Sequence, residues 1–148
     1  MLTRHRIGIV GAGTAGLATA IAFARAGHAV DVFEKHPSLA TLGAGVLIQP
    51  QGVAALWPAA QPVVERIHAH EQLAFASYHH ARPARLAAGP VCIVGDAAHA
   101  MSPQLGLGTT LAVQDALALA ACVQAAGPVE GLARYSKSRL RTVRACRP

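Results

Sequence analysis

Residues 8–35 read GIVGAGTAGLATAIAFARAGHAVDVFEK, and this stretch decides the fold. Arg6 to Val10 is a short apolar run with β-branched residues, as expected of a buried strand. Gly11 to Gly16 interrupts it. Leu17 to Ala26 then sets Leu17, Ala20, Ile21 and Ala24 on one helical face, and Gly27 stands where a helix-terminating glycine belongs. Ala29 to Phe33 predicts the next strand, with Val30 and Val32 on one face and Phe33 on the other. The pattern is β-α-β, for which a right-handed crossover is expected.

Between strand and helix lies Gly11-Ala12-Gly13-Thr14-Ala15-Gly16, a G-x-G-x-x-G loop in the context that gives the pattern its meaning. Gly11 permits the tight turn, Gly13 admits a pyrophosphate close to the backbone, and Gly16 lets the helix pack on the strand. The helix N-terminus offers unbonded N–H groups and partial positive charge to phosphates. Glu34 ends the second strand, where a carboxylate accepts hydrogen bonds from the adenosine ribose and repels a 2′-phosphate. Read as plain structure, Glu34 is a surface residue at a strand end. FAD and NAD share this hairpin, and the hairpin alone does not choose between them.

A second stretch, residues 91–120, reads VCIVGDAAHAMSPQLGLGTTLAVQDALALA. A strand over Val91 to Val94 delivers Gly95-Asp96 at its end. Pro103, Gly106, Leu107, Gly108 and Thr109 lead into a long helix over Thr109 to Ala125. Asp96 can accept hydrogen bonds from a polyol, and the helix N-terminus at Gly106 to Thr110 favours negative charge on a heteroaromatic ring. A ribityl chain followed by an isoalloxazine has that order of groups. The plain alternative is a strand-loop-helix with a buried carboxylate. His99 reads as a satisfied loop histidine. Asp115, mid-helix, reads as structural, bonding a neighbouring loop.

This segment resembles the Gly-Asp motif of the FAD-dependent aromatic hydroxylases, the flavoprotein monooxygenases that include salicylate hydroxylase and 4-hydroxybenzoate hydroxylase. The resemblance rests on Gly95, Asp96, Ala97, Ala98, His99, Ser102, Pro103, Gly106 and Gly108, and on LGAGVLIQPQGVAALW at residues 42–57. It implies an α/β, Rossmann-like FAD-binding domain whose parallel sheet is covered by helices. It also implies that Asp96 holds the ribityl chain, that the backbone from Gly106 to Thr110 meets the flavin ring, and that NAD(P)H is the transient reductant. Lys35, where relatives often carry Arg, joins the cofactor-binding set. The implied reaction is NAD(P)H- and O₂-dependent hydroxylation of an aromatic small molecule. No residue is assigned as catalytic and none as a metal ligand.

The resemblance covers two blocks, and in relatives these flank a long insertion that carries the substrate sheet and an Asp-Gly fingerprint. Asp31, Asp96 and Asp115 are the only aspartates here and none precedes glycine, so that fingerprint is absent. The expectation is one FAD-binding domain over residues 1–148, built from block 1–57 and block 62–148, with the substrate domain largely missing. The strands Arg6–Val10 and Ala29–Phe33 are expected to pair in parallel, with Val91–Val94 beside the first. Gln51 to Trp57 and Val63 to His70 predict short helices, Leu73 to Tyr78 a strand, and Val129 to Arg144 a basic last helix. Loss of the middle predicts an apolar patch or open edge. Two other readings stay open: a catalytically inactive FAD-binding remnant, and an NAD-binding dehydrogenase domain.

Composition sets the remaining bounds. Hydrophobic residues make up 53% of the 148 and charged residues 14%, which suits a buried-core protein and excludes a disordered one. The net charge of +6 reads first as a surface with few acids. Arg134, Arg139, Arg141, Arg144 and Arg147 read as the solvated face of the last helix, without the interleaved aromatics of a nucleic-acid surface. Cys92, Cys122 and Cys146 make no C-x-x-C pair and read as free thiols or small core residues. The start of the chain shows no secretory signal pattern. The apolar run Leu105 to Ala126 contains Thr109, Thr110, Gln114, Asp115 and Gln124, and so reads as a buried soluble helix. A cytoplasmic protein is expected, with no membrane and no nucleic-acid partner.

Overall fold

In the computed structural model the described residues are 3–38, 62, 65–66, 68–69, 80–100 and 107–145. The chain divides into two compact units, Met1–Leu39 with Tyr78–Pro148, and Ala40–Ser77. In the second unit the described residues Pro62, Glu65, Arg66, His68 and Ala69 are exposed, with a turn at Glu65 and Arg66. The expected helix over 51–57 and strand over 73–78 lie outside the described residues, as do Pro103 and Gly106.

The first unit opens with strand β1 (Arg6–Val10), helix α1 (Thr14–Arg25) and strand β2 (Ala29–Phe33). The strands pair in parallel with Arg6 opposite Ala29 and Val10 opposite Phe33. This is the Rossmann-like α/β unit expected from residues 8–35. Helix α1 ends as its sequence requires: Ala26 caps it, and Gly27 follows with φ of +85°, a left-handed conformation in which a side chain is strained. The helix begins three residues before Leu17, because Gly16 belongs inside its first turn. Glycine is a poor helix former, and close packing on the loop overrides that preference.

Strand β3 (Ala87–Ala88) and strand β4 (Val91–Cys92) form a separate antiparallel hairpin, with Ala88 opposite Val91. The expectation that Val91–Val94 joins the parallel sheet beside β1 is not met among the described residues. Gly89 has φ of +56° and precedes Pro90, so the chain reverses within two residues and pairs with its own neighbour. That closure is local, whereas pairing with β1 must close a loop of roughly 80 residues. Short helix α2 (Asp96–His99) follows where a loop was expected.

Helix α3 (Gly108–Ala145) is two helical arms, broken at Gly127 with φ of +75° and ψ of 174°, with Pro128 next. Arms 108–126 and 128–145 fold back on each other. A Cβ on Gly131 would stand 2.6 Å from the Val123 Cα and 2.7 Å from the Cys122 carbonyl oxygen, so only glycine allows this approach. By length and composition α3 is apolar enough to cross a membrane. The break at Gly127 and the buried Asp115 and Arg139 mark it instead as a packed hairpin.

The core gathers Phe23 from α1, Leu86, Ala98 from α2, and Leu119, Val123, Leu132 and Tyr135 from the two arms of α3. Burying side chains of this kind stabilises by roughly 1.5–3 kcal/mol each for the larger ones. The Tyr135 hydroxyl donates to the Ile93 carbonyl at 3.0 Å, and the Leu86 N–H donates to Ser136 Oγ at 2.9 Å. The second arm of α3 is thereby fastened to the segment that leads into Gly95. Large apolar side chains remain exposed where β1 and β2 end, namely Val10 (91%) and Phe33 (59%). Cys92 and Cys122 are free and half-buried, and burial pushes the Cys92 thiol up to about 11, far from a reactive thiolate.

Candidate functional site

Two hydrogen bonds hold the loop between β1 and α1, and a third fixes the Glu34 carboxylate. The Gly11 N–H donates to the Phe33 carbonyl at 2.7 Å. The Ala12 N–H donates to Glu34 Oε2 at 2.7 Å, and the His36 N–H to Glu34 Oε1 at 3.0 Å. A Cβ on Gly16 would run into the Gly11 carbonyl oxygen, so helix and loop touch backbone to backbone. Gly11 itself has φ of +99°. Gly11 thus makes the turn, and Gly16 packs first on the Gly11 carbonyl and then on Ile9 near the end of β1.

The loop presents an amino end with open donors. Gly13 caps α1 without a side-chain hydrogen bond, and the first turn holds no acidic residue. The first in-helix bond runs from the Leu17 N–H to the Gly13 carbonyl. The amides of Thr14, Ala15 and Gly16 precede that bond and have no acceptor within the helix, and Gly13 and Thr14 are exposed. A Cβ on Gly11 or Gly13 would meet nothing within 4 Å, which leaves open space above the backbone. Open donors, clear space and the helix dipole together fit a phosphate group.

Glu34 plays a part that sequence reasoning did not assign: it ties the loop to the end of β2. The N–H groups of Ala12 and then His36 hold its carboxyl below the usual range, so it is ionised at neutral pH. Each carboxylate oxygen retains a further acceptor site, which leaves Glu34 able to meet ribose hydroxyls as expected. Lys35 beside it is exposed.

The second motif arrives at the same place. Gly95, with φ of +59° and ψ of −137°, turns the chain into α2. A Cβ on Gly95 would stand 2.5 Å from the Ala15 Cβ, so the Gly95–Asp96 turn lies directly on the first turn of α1. The two motifs, some 80 residues apart in sequence, are adjacent in space. Asp96 is exposed at the start of α2, with its carboxylate on the solvent side. Leu107, Gly108 and Thr109 open α3, and the Leu111 N–H donates to the Leu107 carbonyl at 2.9 Å.

Behind this turn lies a charge cluster that the sequence reading did not assemble. Asp115 is fully buried and its carboxylate accepts three hydrogen bonds. The Gly95 N–H donates to Oδ2 at 2.9 Å, His99 Nε2–H donates to the same oxygen at 2.8 Å, and Arg139 Nε–H donates to Oδ1 at 2.6 Å. Burial pushes the Asp115 carboxyl up, but the bonds from His99, Gly95 and Arg139 outweigh it and leave the group below its usual range. Asp115 does bond a neighbouring segment, as expected. His99, by contrast, is no loop histidine: it sits in α2, 1% exposed. Arg139 corrects the reading of the late arginines as one solvated face. Arg134, Arg141 and Arg144 are exposed, whereas Arg139 turns inward because a buried carboxylate needs a cation. The signal was available, since Asp115 shares the apolar stripe of Leu111, Ala112 and Leu119, where an acid needs a buried partner.

Comparison with known proteins agrees with this geometry. The pattern of the FAD binding domain family matches residues 52–147. The chain belongs to the FAD-binding domain family. The pattern of the NAD(P)-binding Rossmann-like domain matches residues 9–68. An FAD-dependent monooxygenase of Aspergillus terreus is 48% identical over 58 residues, a stretch that covers 38% of this chain and 13% of that protein. No solved structure matches the chain. For this member of the FAD-binding domain family, FAD is the cofactor that membership points to. The open amino end of α1, the Glu34 carboxylate and the exposed Asp96 fit it.

Proposed function

We propose that this chain holds FAD across the two motifs and serves a monooxygenase reaction on an aromatic small molecule. The observation that carries the reading is the seating of Gly95 on Ala15, which brings an anion-binding helix end and a polyol-binding carboxylate together. The amides of Gly13 to Gly16 bind the pyrophosphate, Glu34 orients the adenosine ribose, and Asp96 orients the ribityl chain. The amino end of α3 at Leu107, Gly108 and Thr109 favours negative charge on the flavin ring. Bound FAD would supply the redox chemistry, in which NAD(P)H and O₂ convert an aromatic C–H into C–OH and water. The similarity to the Aspergillus terreus monooxygenase over 58 residues supports the reaction class. A cytoplasmic location goes with this reading, with the small molecule as partner rather than nucleic acid or membrane.

The test is the visible absorption spectrum of the purified protein, followed by FAD titration and by NADH and NADPH oxidation with aromatic acids. A bound-flavin spectrum and substrate-stimulated oxidation are expected. A folded protein that takes up no flavin overturns the reading. Flavin uptake without any hydroxylated product favours a second one, a catalytically inert FAD-binding chain, for which the missing Asp-Gly fingerprint speaks. NADH binding to flavin-free protein favours a third, an NAD-binding domain, for which the Rossmann-like match over residues 9–68 speaks.

A further inference from the structure

The cluster of Asp115, His99 and Arg139 is buried, and none of its members belongs to the exposed surface that meets the cofactor in the reading above. A buried ion pair is a weak source of stability, since apolar residues of the same volume often do as well. Its value lies in direction. Two of the three bonds to Asp115 come from the Gly95–Asp96 turn and from α2, and the third comes from the far arm of α3. The turn it grips has a backbone conformation only glycine adopts readily, and one neighbour of Gly95 is Asp96. Among the described residues Asp115 alone accepts the Gly95 N–H, while the Gly95 carbonyl accepts from the Ala98 and His99 amides within α2.

We propose that Asp115 is a positioning residue for the cofactor: by accepting the Gly95 N–H it fixes the Gly95–Asp96 turn against α1, with Arg139 and His99 locking its own carboxylate. This rests on the FAD reading. Asp115 touches no cofactor atom. It acts through Gly95, which carries Asp96 at its carboxyl side and presses on Ala15 of the phosphate-binding turn. Arg139 neutralises the buried charge and fixes Oδ1, so that Oδ2 is left to the turn. His99 presents Nε2–H to Asp115, and among the described residues its buried Nδ1 has no partner. The turn is thereby set before any ligand arrives.

Two double variants separate positioning from plain stability. Asp115→Asn with Arg139→Gln removes the charges but keeps a carbonyl acceptor for Gly95. Asp115→Leu with Arg139→Met removes charges and acceptor together. FAD affinity is read by quenching of flavin fluorescence at a temperature where circular dichroism shows each protein folded. The first variant is expected to bind FAD within about threefold of wild type, and the second at least tenfold more weakly. Equal affinities of the two variants overturn the proposal. Amide exchange of the cofactor-free wild type gives a check that needs no variant. The Gly95 amide is expected to exchange far more slowly than that of exposed Ala97, and equal rates overturn the proposal. Wild type that folds but takes up no FAD overturns the cofactor reading and the positioning role together. Normal uptake by wild type and by both variants overturns the positioning role alone.

Discussion

Gly95 rests on Ala15 so closely that a methyl group on Gly95 would lie 2.5 Å from the Ala15 Cβ. Through this one contact the Gly-Asp turn is seated on the first turn of α1, and a split sequence motif becomes a single surface.

Gly95→Ala is therefore expected to fail twice, by backbone conformation and by collision. The positive φ costs roughly 1–3 kcal/mol, and the overpacked contact costs a similar amount. Urea denaturation should show a loss of about 3 kcal/mol. Adding Ala15→Gly should restore the collision part and leave the backbone part. Full recovery in the double variant would show the backbone strain to be negligible.

Gly16→Ala places its methyl against the Gly11 carbonyl oxygen, a backbone atom that cannot swing aside. The loop must move off α1. The expected outcome is a loss of about 2–3 kcal/mol and loss of measurable FAD uptake. A Gly13→Ala variant meets no atom within 4 Å, so it should fold like wild type and lose only affinity. Calorimetry and flavin titration on the pair distinguish the packing glycine from the approach glycine.

The stability of the protein should fall in acid through Asp115. Its carboxyl in the folded protein lies below the usual value, so its contribution is fully present above about pH 3.9. That contribution is lost as the pH drops through the lower folded value, because the unfolded chain takes up the proton first. Asp115→Asn leaves Arg139 buried without its anion and should cost about 3–5 kcal/mol at pH 7. The gap between wild type and variant, read from urea midpoints, should narrow steadily below pH 4. A gap that stays constant to pH 2.5 would show that Asp115 is not charged in the folded protein.

Tyr135→Phe removes the hydroxyl that bonds the Ile93 carbonyl at 3.0 Å. The ring stays packed, so the loss should be about 1–2 kcal/mol, the cost of an acceptor left unpaired. Chemical denaturation measures it. The same variant should leave FAD affinity within about threefold of wild type, since Tyr135 bonds Ile93, two residues before Gly95, and the Gly95 amide keeps its bond to Asp115.

The sequence by itself determined the β-α-β unit, its strand limits at Arg6–Val10 and Ala29–Phe33, the glycine that ends α1, the long apolar helix and the basic last helix. These follow from periodicity and from glycine, which act over a few residues and leave a local trace. It also placed the glycine-rich turn between β1 and α1, since the reasons for Gly11 and Gly16 lie in the backbone they adjoin. The tertiary structure decided what depends on partners distant in the chain. Val91–Cys92 pairs with Ala87–Ala88 rather than with β1, because a two-residue turn closes at less entropic cost than a long loop. Arg139 separates from its exposed neighbours because Asp115, 24 residues earlier, is buried and needs a cation. A buried charge has no local signature of its partner, and only the folding of one helical arm onto the other at Gly127 brings the two together.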